Sequence, residues 1–178
     1  MKLLSLLLTI FLFSTLSFGQ DSTRFQTEIG IRTKKQVGFY WINGLTAEWS
    51  TSKIASGSFH LGLNITSSYL GSAFRSNAIP TLETELSFIK YFRYSKSLQP
   101  ITRLNLGFAK AFYGSGFSSI PSTGMLCSIE TGVQYKVNTL FSGSLYGGYN
   151  LFSGNGISGL STVYPVYYGV GLKYWIRY

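Results

Sequence analysis

Eight stretches of this chain alternate apolar and polar residues one by one. A period of two places successive side chains on opposite faces of a β-strand, so each stretch predicts a strand with one apolar face. The first, 23–33, sets Phe25, Ile29 and Ile31 against Arg24, Gln26, Glu28 and Arg32. The second, 40–51, sets Trp41, Leu45, Ala47 and Trp49 against Gly44, Thr46, Glu48 and Ser50. The third, 58–70, has Phe59, Leu61, Leu63, Ile65 and Tyr69 opposite His60, Gly62, Asn64, Thr66 and Ser68. In the fourth, 81–94, Leu82, Leu86, Phe88 and Phe92 oppose Glu83, Glu85, Ser87, Tyr91 and Arg93. In the fifth, 101–113, Leu104, Leu106, Phe108 and Phe112 oppose Arg103, Asn105, Gly107, Ala109 and Ala111. The sixth, 124–137, pairs Met125, Cys127, Ile129, Val133 and Tyr135 with Gly124, Ser128, Glu130, Gly132, Gln134 and Lys136. The seventh, 140–152, is weaker, and the eighth, 164–178, runs to the last residue. Pro80, Pro100 and Pro121 fall in the predicted gaps and Pro165 opens the eighth strand, as expected of a residue that cannot donate to a ladder.

After residue 19 no apolar run reaches the ~18 residues of a membrane helix. Charged residues are only 12% and aromatics 17%, against about a quarter charged in soluble domains. The composition is that of a membrane protein without membrane helices, and a closed barrel is the other structure that leaves no backbone group unpaired in lipid. Residues 1–19 have a short basic start, an apolar run and small residues at Ser17 and Gly19, the pattern of a secretory signal peptide cut before Gln20. The mature chain, 20–178, then holds 14 basic residues (15 less Lys2) and 6 acidic ones, a net charge of +8 in one domain. One cysteine, Cys127, excludes an internal disulfide.

The charges follow the alternation. Glu28, Glu48, Glu83, Glu85 and Glu130 all take the polar parity, as do Arg24, Arg32, Arg93, Arg103, Lys136, Lys173 and Arg177. Arg or Lys on the lipid face costs roughly 2–4 kcal/mol at mid-bilayer, so the polar parity is read as the inside of the barrel. An eight-stranded barrel has room inside for side chains and little else, which predicts a packed, structural ion network. Lys90 and Lys110 take the lipid parity near strand ends. Both are read as snorkelling to the interface, with a lipopolysaccharide phosphate as the sharper alternative for Lys110.

Connections near 34–39, 71–80, 114–123 and 153–163 read as longer than those near 52–57, 95–100 and 137–139. Outer-membrane barrels have long outer loops and short periplasmic turns, so both termini are expected on the periplasmic side and the eighth strand closes on the first. The eighth strand, with Gly169, Gly171, Tyr174, Ile176 and a terminal Tyr178, resembles the C-terminal signal of Gram-negative outer-membrane barrels. The pattern as a whole resembles the small eight-stranded OmpA/OmpX-type barrels without a periplasmic domain. The resemblance implies an all-β, antiparallel, up-and-down transmembrane barrel. It also implies that the barrel assembly machinery reads the last strand, and that outer-membrane lipids, lipopolysaccharide included, surround the fold.

Catalytic and cofactor signals are weak. His60 is the one histidine, and it is placed inside near the periplasmic end, away from where a lipid-modifying enzyme needs its base. One His, one Cys and no acid off the strands besides Asp21 give no recognisable metal spacing. "GVG" and "GNG" precede no helix, so no nucleotide loop is expected, and Asn64-Ile65-Thr66 matches a glycosylation acceptor on paper but lies inside a strand and is read as chance. Lys34, Lys35 and Arg75 are read as outer-loop residues, giving a weakly basic face without carboxylates for calcium. A pI near 9.7 on an exported barrel does not point to nucleic acid. Arg24, Arg93, Arg103, Lys136 and Arg177 are expected around the periplasmic mouth with Glu28 and Glu48, either partly paired and hydrated or binding an anionic ligand. The expected function is a non-enzymatic, structural or interaction-forming barrel with no cofactor. The alternatives are a narrow, porin-like permeability barrel and a lipid-modifying enzyme.

Overall fold

The alternation folds into eight strands: β1 (Phe25–Gln36), β2 (Trp41–Thr51), β3 (Phe59–Ser67), β4 (Thr81–Tyr91), β5 (Leu98–Ala111), β6 (Thr123–Lys136), β7 (Phe141–Asn150) and β8 (Val166–Ile176). The computed structural model describes residues 25–36, 41–51, 58–68, 80–92, 96–112, 122–152 and 165–176. The expected leader at 1–19, Arg24, Arg75, Arg93, Pro121, Arg177 and Tyr178 lie outside the described residues. Each strand pairs antiparallel with the next, and β1 pairs with β8 from Thr27↔Ile176 to Gln36↔Tyr167, so the sheet closes. Closure leaves no unpaired edge. No helix among the described residues is long and apolar enough to cross a membrane.

The faces are those the parity predicts. Side chains on the polar parity are buried in the lumen, among them Glu28, Glu48, Glu83, Glu85 and Glu130. Those on the apolar parity stand outside: Ile31, Leu45, Phe108 and Leu172 are each more than half exposed. A continuous apolar belt of this kind exceeds the few hundred Å² that a soluble protein leaves bare, and it suits a hydrocarbon surround. Cys127 keeps the outward parity yet is buried.

Two expectations are corrected. The connection between β1 and β2, expected among the longer ones, is short, because β1 runs to Gln36 and β2 begins at Trp41. Lys34 and Lys35 are therefore strand residues, and Lys34 points into the lumen. Pro100 lies within β5 rather than in a gap. Its carbonyl accepts from Phe92 N at 2.8 Å, and a strand residue's N and C=O face the same neighbour. Its missing donor thus falls just beyond the end of β4, where a proline is tolerated.

The end carrying Phe25 and Ile176 is called the terminal end, and the other the loop end. At the terminal end, Asn138 tightens the β6–β7 turn: its Oδ1 accepts from Leu140 N at 2.8 Å and Phe141 N at 2.7 Å. Between β7 and β8, two tyrosines cover two glycines in opposite order: Tyr146 pairs with Gly169, and Gly148 with Tyr167. A Cβ on Gly148 would come within 2.3 Å of the Tyr167 ring, and one on Gly169 within 2.5 Å of the Tyr146 ring. Glycine at these positions leaves the space in which the two rings lie flat across the sheet, an arrangement also used to rescue strand glycines by design.

Candidate functional site

The lumen gathers the buried polar and titratable residues on the inward parity into three levels. Toward the loop end, Arg32 Nη2 lies 2.6 Å from Glu130 Oε1, and its ring-facing side stacks on Tyr146 at 4.7 Å. Lys34 Nζ pairs closely with Glu83 and lies 3.4 Å from Glu85 Oε1. This lysine was assigned to a loop on sequence, and it is the cation that holds the two β4 carboxylates. Thr66 Oγ1 donates to Glu83 at 3.1 Å.

The middle level is neutral. Thr46 Oγ1 donates to Asn64 Oδ1 at 2.8 Å, and Asn64 Nδ2 donates to Ser87 Oγ at 2.7 Å. Ser87 donates to Asn105 Oδ1 at 2.5 Å, and Asn105 Nδ2 donates to Ser128 Oγ at 3.0 Å. Ser128 Oγ is 3.0 Å from the Tyr167 hydroxyl, which donates to Glu130 Oε1 at 2.9 Å. One chain of hydrogen bonds thus runs from β2 through β3, β4, β5 and β6 to β8. Asn64, a glycosylation acceptor on paper, is a fully buried link in it. Each member satisfies its neighbour, which is the condition for a buried polar network to stabilise rather than cost.

Toward the terminal end lie Glu28, Glu48, His60, Tyr91, Arg103 and Lys173. Lys173 Nζ is 2.8 Å from Glu48 Oε2, 3.3 Å from Glu28 Oε2 and 2.6 Å from the Tyr91 hydroxyl. Tyr91 in turn donates to Glu48 Oε2 at 2.7 Å. Arg103 Nη2 reaches Glu48 Oε1 at 2.7 Å, while its Nε lies 3.6 Å from Glu130 Oε2, joining this level to the upper one. Arg103 was expected at a basic mouth, but it is instead held inside between two carboxylates. Lys136 is at the rim, with Nζ 4.6 Å above the Trp175 ring. Of the five bases expected around that mouth, these are the two in the described residues.

His60 is buried, with Nδ1 3.5 Å from Glu28 Oε1 and 3.8 Å from Glu48 Oε2 and its ring 4.5 Å from Tyr91. The sequence offered no metal spacing, yet one ligand atom each from Glu28, Glu48 and His60 lie within 4.8 Å of one another. They come from three successive strands, so no linear motif could reveal them. The donor set alone would suit a borderline divalent ion. The Lys173 ammonium already stands between the two carboxylates, with Arg103 on Glu48. A dication added there would meet two fixed positive charges, so the residues present do not fit a resident metal.

Several side-chain contacts cross the barrel. Arg32–Glu130 joins β1 to β6, Lys34–Glu85 joins β1 to β4, Arg103–Glu48 joins β5 to β2, and Lys173–Tyr91 joins β8 to β4. None of these strand pairs is adjacent in the sheet. The side chains meet across the axis at successive heights.

The C-terminal residues take ordinary places in the barrel. Gly171 faces inward opposite Ser144, whose hydroxyl donates to its carbonyl at 3.5 Å. Tyr174 is outside, its ring 5.2 Å from that of Phe141, and Ile176 ends β8 beside Thr27. Lys90 sits at the terminal rim, donating to Ser58 Oγ at 2.7 Å and lying 4.0 Å over Phe59. Lys110 stands outside near the loop end over Phe112.

No protein-family model matches the chain, and no curated protein matches it. Solved structures do. The chain is similar to Neisserial surface protein A (NspA) with a TM-score of 0.51 at 15% identity, over 89% of this chain and 98% of that one. It is similar to the outer membrane protein OprG from Pseudomonas aeruginosa with a TM-score of 0.50 at 15% identity, over 90% and 99%. The chain has the fold of the small eight-stranded outer-membrane β-barrels.

Proposed function

We propose that this chain is an integral outer-membrane protein with a sealed lumen, acting as a structural or interaction-forming element rather than as an enzyme or pore. The observation that carries the reading is the set of cross-axis ion pairs, above all Arg103–Glu48 and Arg32–Glu130. A solute path would require these buried charges to part, and separating a buried pair is costly because each partner is left uncompensated. The apolar belt supports membrane insertion. His60 supports the non-enzymatic reading, since it is enclosed by Glu28, Glu48 and Tyr91 and away from the lipid face. In this reading residues 1–19 are removed on export, the terminal end faces the periplasm, and the C-terminal sequence with Gly171, Tyr174, Ile176 and Tyr178 is the segment the assembly machinery recognises. Surrounding lipids, lipopolysaccharide included, are its partners. Purified barrel reconstituted in liposomes tests this: small sugars and ions should cross no faster than through protein-free vesicles. Solute flux that rises with the amount of folded protein would overturn the sealed-lumen reading.

A further inference from the structure

We propose that the membrane-facing stripe of β1 and β2 seats one phosphorylated, acylated lipid of the outer leaflet, of the lipid A type. The proposal rests on the outer-membrane reading and adds a site to it. A groove of about 600 Å³ runs along the outside of the barrel, walled by Ile29, Ile31, Leu45, Leu63 and Leu172 with Ala47 at its floor. Ala47 pairs with Ile29 on one side and Leu63 on the other, and its methyl group leaves the depression that larger neighbours border. Toward the loop end on the same parity stands the pair Thr33 and Asn43, with the hydroxyl donating to the amide oxygen. Beyond it stands Lys35, flanked by Trp41 on β2 and Tyr168 on β8. The two rings meet edge-on with centroids 6.2 Å apart, and the Lys35 ammonium is 5.5 Å from the Trp41 ring.

The order along the stripe is a cation among aromatics, then an amide and a hydroxyl, then a long apolar groove. A phosphorylated lipid presents its groups in that order: phosphate, ester or amide linkages, acyl chain. The spacing agrees. Ile29 to Lys35 spans six residue steps, about 20 Å at ~3.3 Å each. With strands tilted ≈ 45°, that is about 14 Å along the membrane normal, close to half of a ~30 Å hydrocarbon core. A chain lying on Ala47 at mid-membrane therefore ends in a headgroup beside Lys35. Every described glutamate points inward, so no carboxylate on this face competes for the ammonium. Lys110 has the same charge near the same end, but the outward residues below it, Phe108 at 66% and Met125 at 65% exposure, form a ridge rather than a groove.

Native mass spectrometry of the purified full barrel, released from detergent after incubation with bisphosphorylated lipid A or with phosphatidylglycerol, tests the site. One lipid A should be retained by the unaltered protein and by Lys110→Gln. Lys35→Gln should weaken retention about fivefold, the worth of one lysine near an anionic surface, and Ala47→Phe should abolish it by filling the groove. Heat-modifiable migration on gels establishes that each variant is folded, and if Ala47→Phe is not, Lys35→Gln decides. Equal retention by folded Lys35→Gln and Lys110→Gln would overturn the proposal, as would phosphatidylglycerol held as firmly as lipid A. An unaltered chain that never forms a heat-modifiable barrel would instead overturn the outer-membrane reading beneath it.

Discussion

Arg32 on β1 and Glu130 on β6 meet 2.6 Å apart with both side chains almost wholly buried. Their strands are not neighbours, so the pair spans the lumen. Replacing Arg32 by Met leaves Glu130 with the Tyr167 hydroxyl and, as its nearest cation, the more distant Arg103 Nε, 3.6 Å away. Breaking one side of a buried pair costs about 3–5 kcal/mol, whereas replacing both partners by apolar groups is far milder. Arg32→Met should therefore shift the urea unfolding midpoint in lipid vesicles strongly downward, and Arg32→Met with Glu130→Met should recover much of the loss. A double variant no better than the single one would mean that the pair is not the unit of stability.

The tyrosine–glycine pairs make a graded prediction. The atoms nearest an added methyl at Gly148 all belong to the Tyr167 side chain, whereas at Gly169 the nearest is the Thr33 carbonyl oxygen, ahead of the Tyr146 ring. A ring can shift and a paired backbone cannot, so Gly169→Ala should destabilise more than Gly148→Ala, which should cost about 1–3 kcal/mol as overpacking does. Tyr167→Leu should be less damaging in the Gly148→Ala background than alone, a non-additivity expected of residues in contact. The same unfolding experiment measures all four variants.

The strands, their faces and the closure of the barrel were legible because lipid imposes a strict alternation, and all the glutamates obey it. Legibility faded where that constraint ends. At Lys34-Lys35-Gln36 the strand rises out of the apolar zone, outward residues no longer need to be apolar, and the run reads as a loop. That concealed Lys34, the partner of Glu83 and Glu85. Pro100 misled in the same way, since its tolerance depends on where β4 stops. The hydrogen-bonded chain through Asn64, Ser87, Asn105 and Ser128 was invisible because it depends on register between strands, and the Glu28–Glu48–His60 cluster was invisible for the same reason.

Lys173 should determine whether that cluster takes a metal. Lys173→Met removes the ammonium from between Glu28 and Glu48. Micromolar zinc should then raise the melting temperature of Lys173→Met, because a ligand bound to the folded state alone stabilises it. The unaltered protein, and Lys173→Met with His60→Ala, should show no such rise. Equal stabilisation of the unaltered protein would contradict the assignment of that seat to the lysine.

His60→Ala should leave the mass distribution of lipid A in cells unchanged. The imidazole is enclosed by two carboxylates and a tyrosine in the lumen, out of reach of a lipid ester. A lipid A species that disappears with His60 would restore the enzymatic alternative.

Single-channel recording in a planar bilayer tests the sealed lumen most directly. In the sealed-lumen reading the unaltered barrel should insert without conductance steps above the bare membrane, because Arg32–Glu130, Arg103–Glu48 and Lys173–Tyr91 meet across the axis at successive heights. Arg32→Ala with Arg103→Ala removes two of those closures and leaves Glu48 and Glu130 lining the path, so it should give cation-selective steps. Stable, unitary conductance from the unaltered barrel would contradict the account.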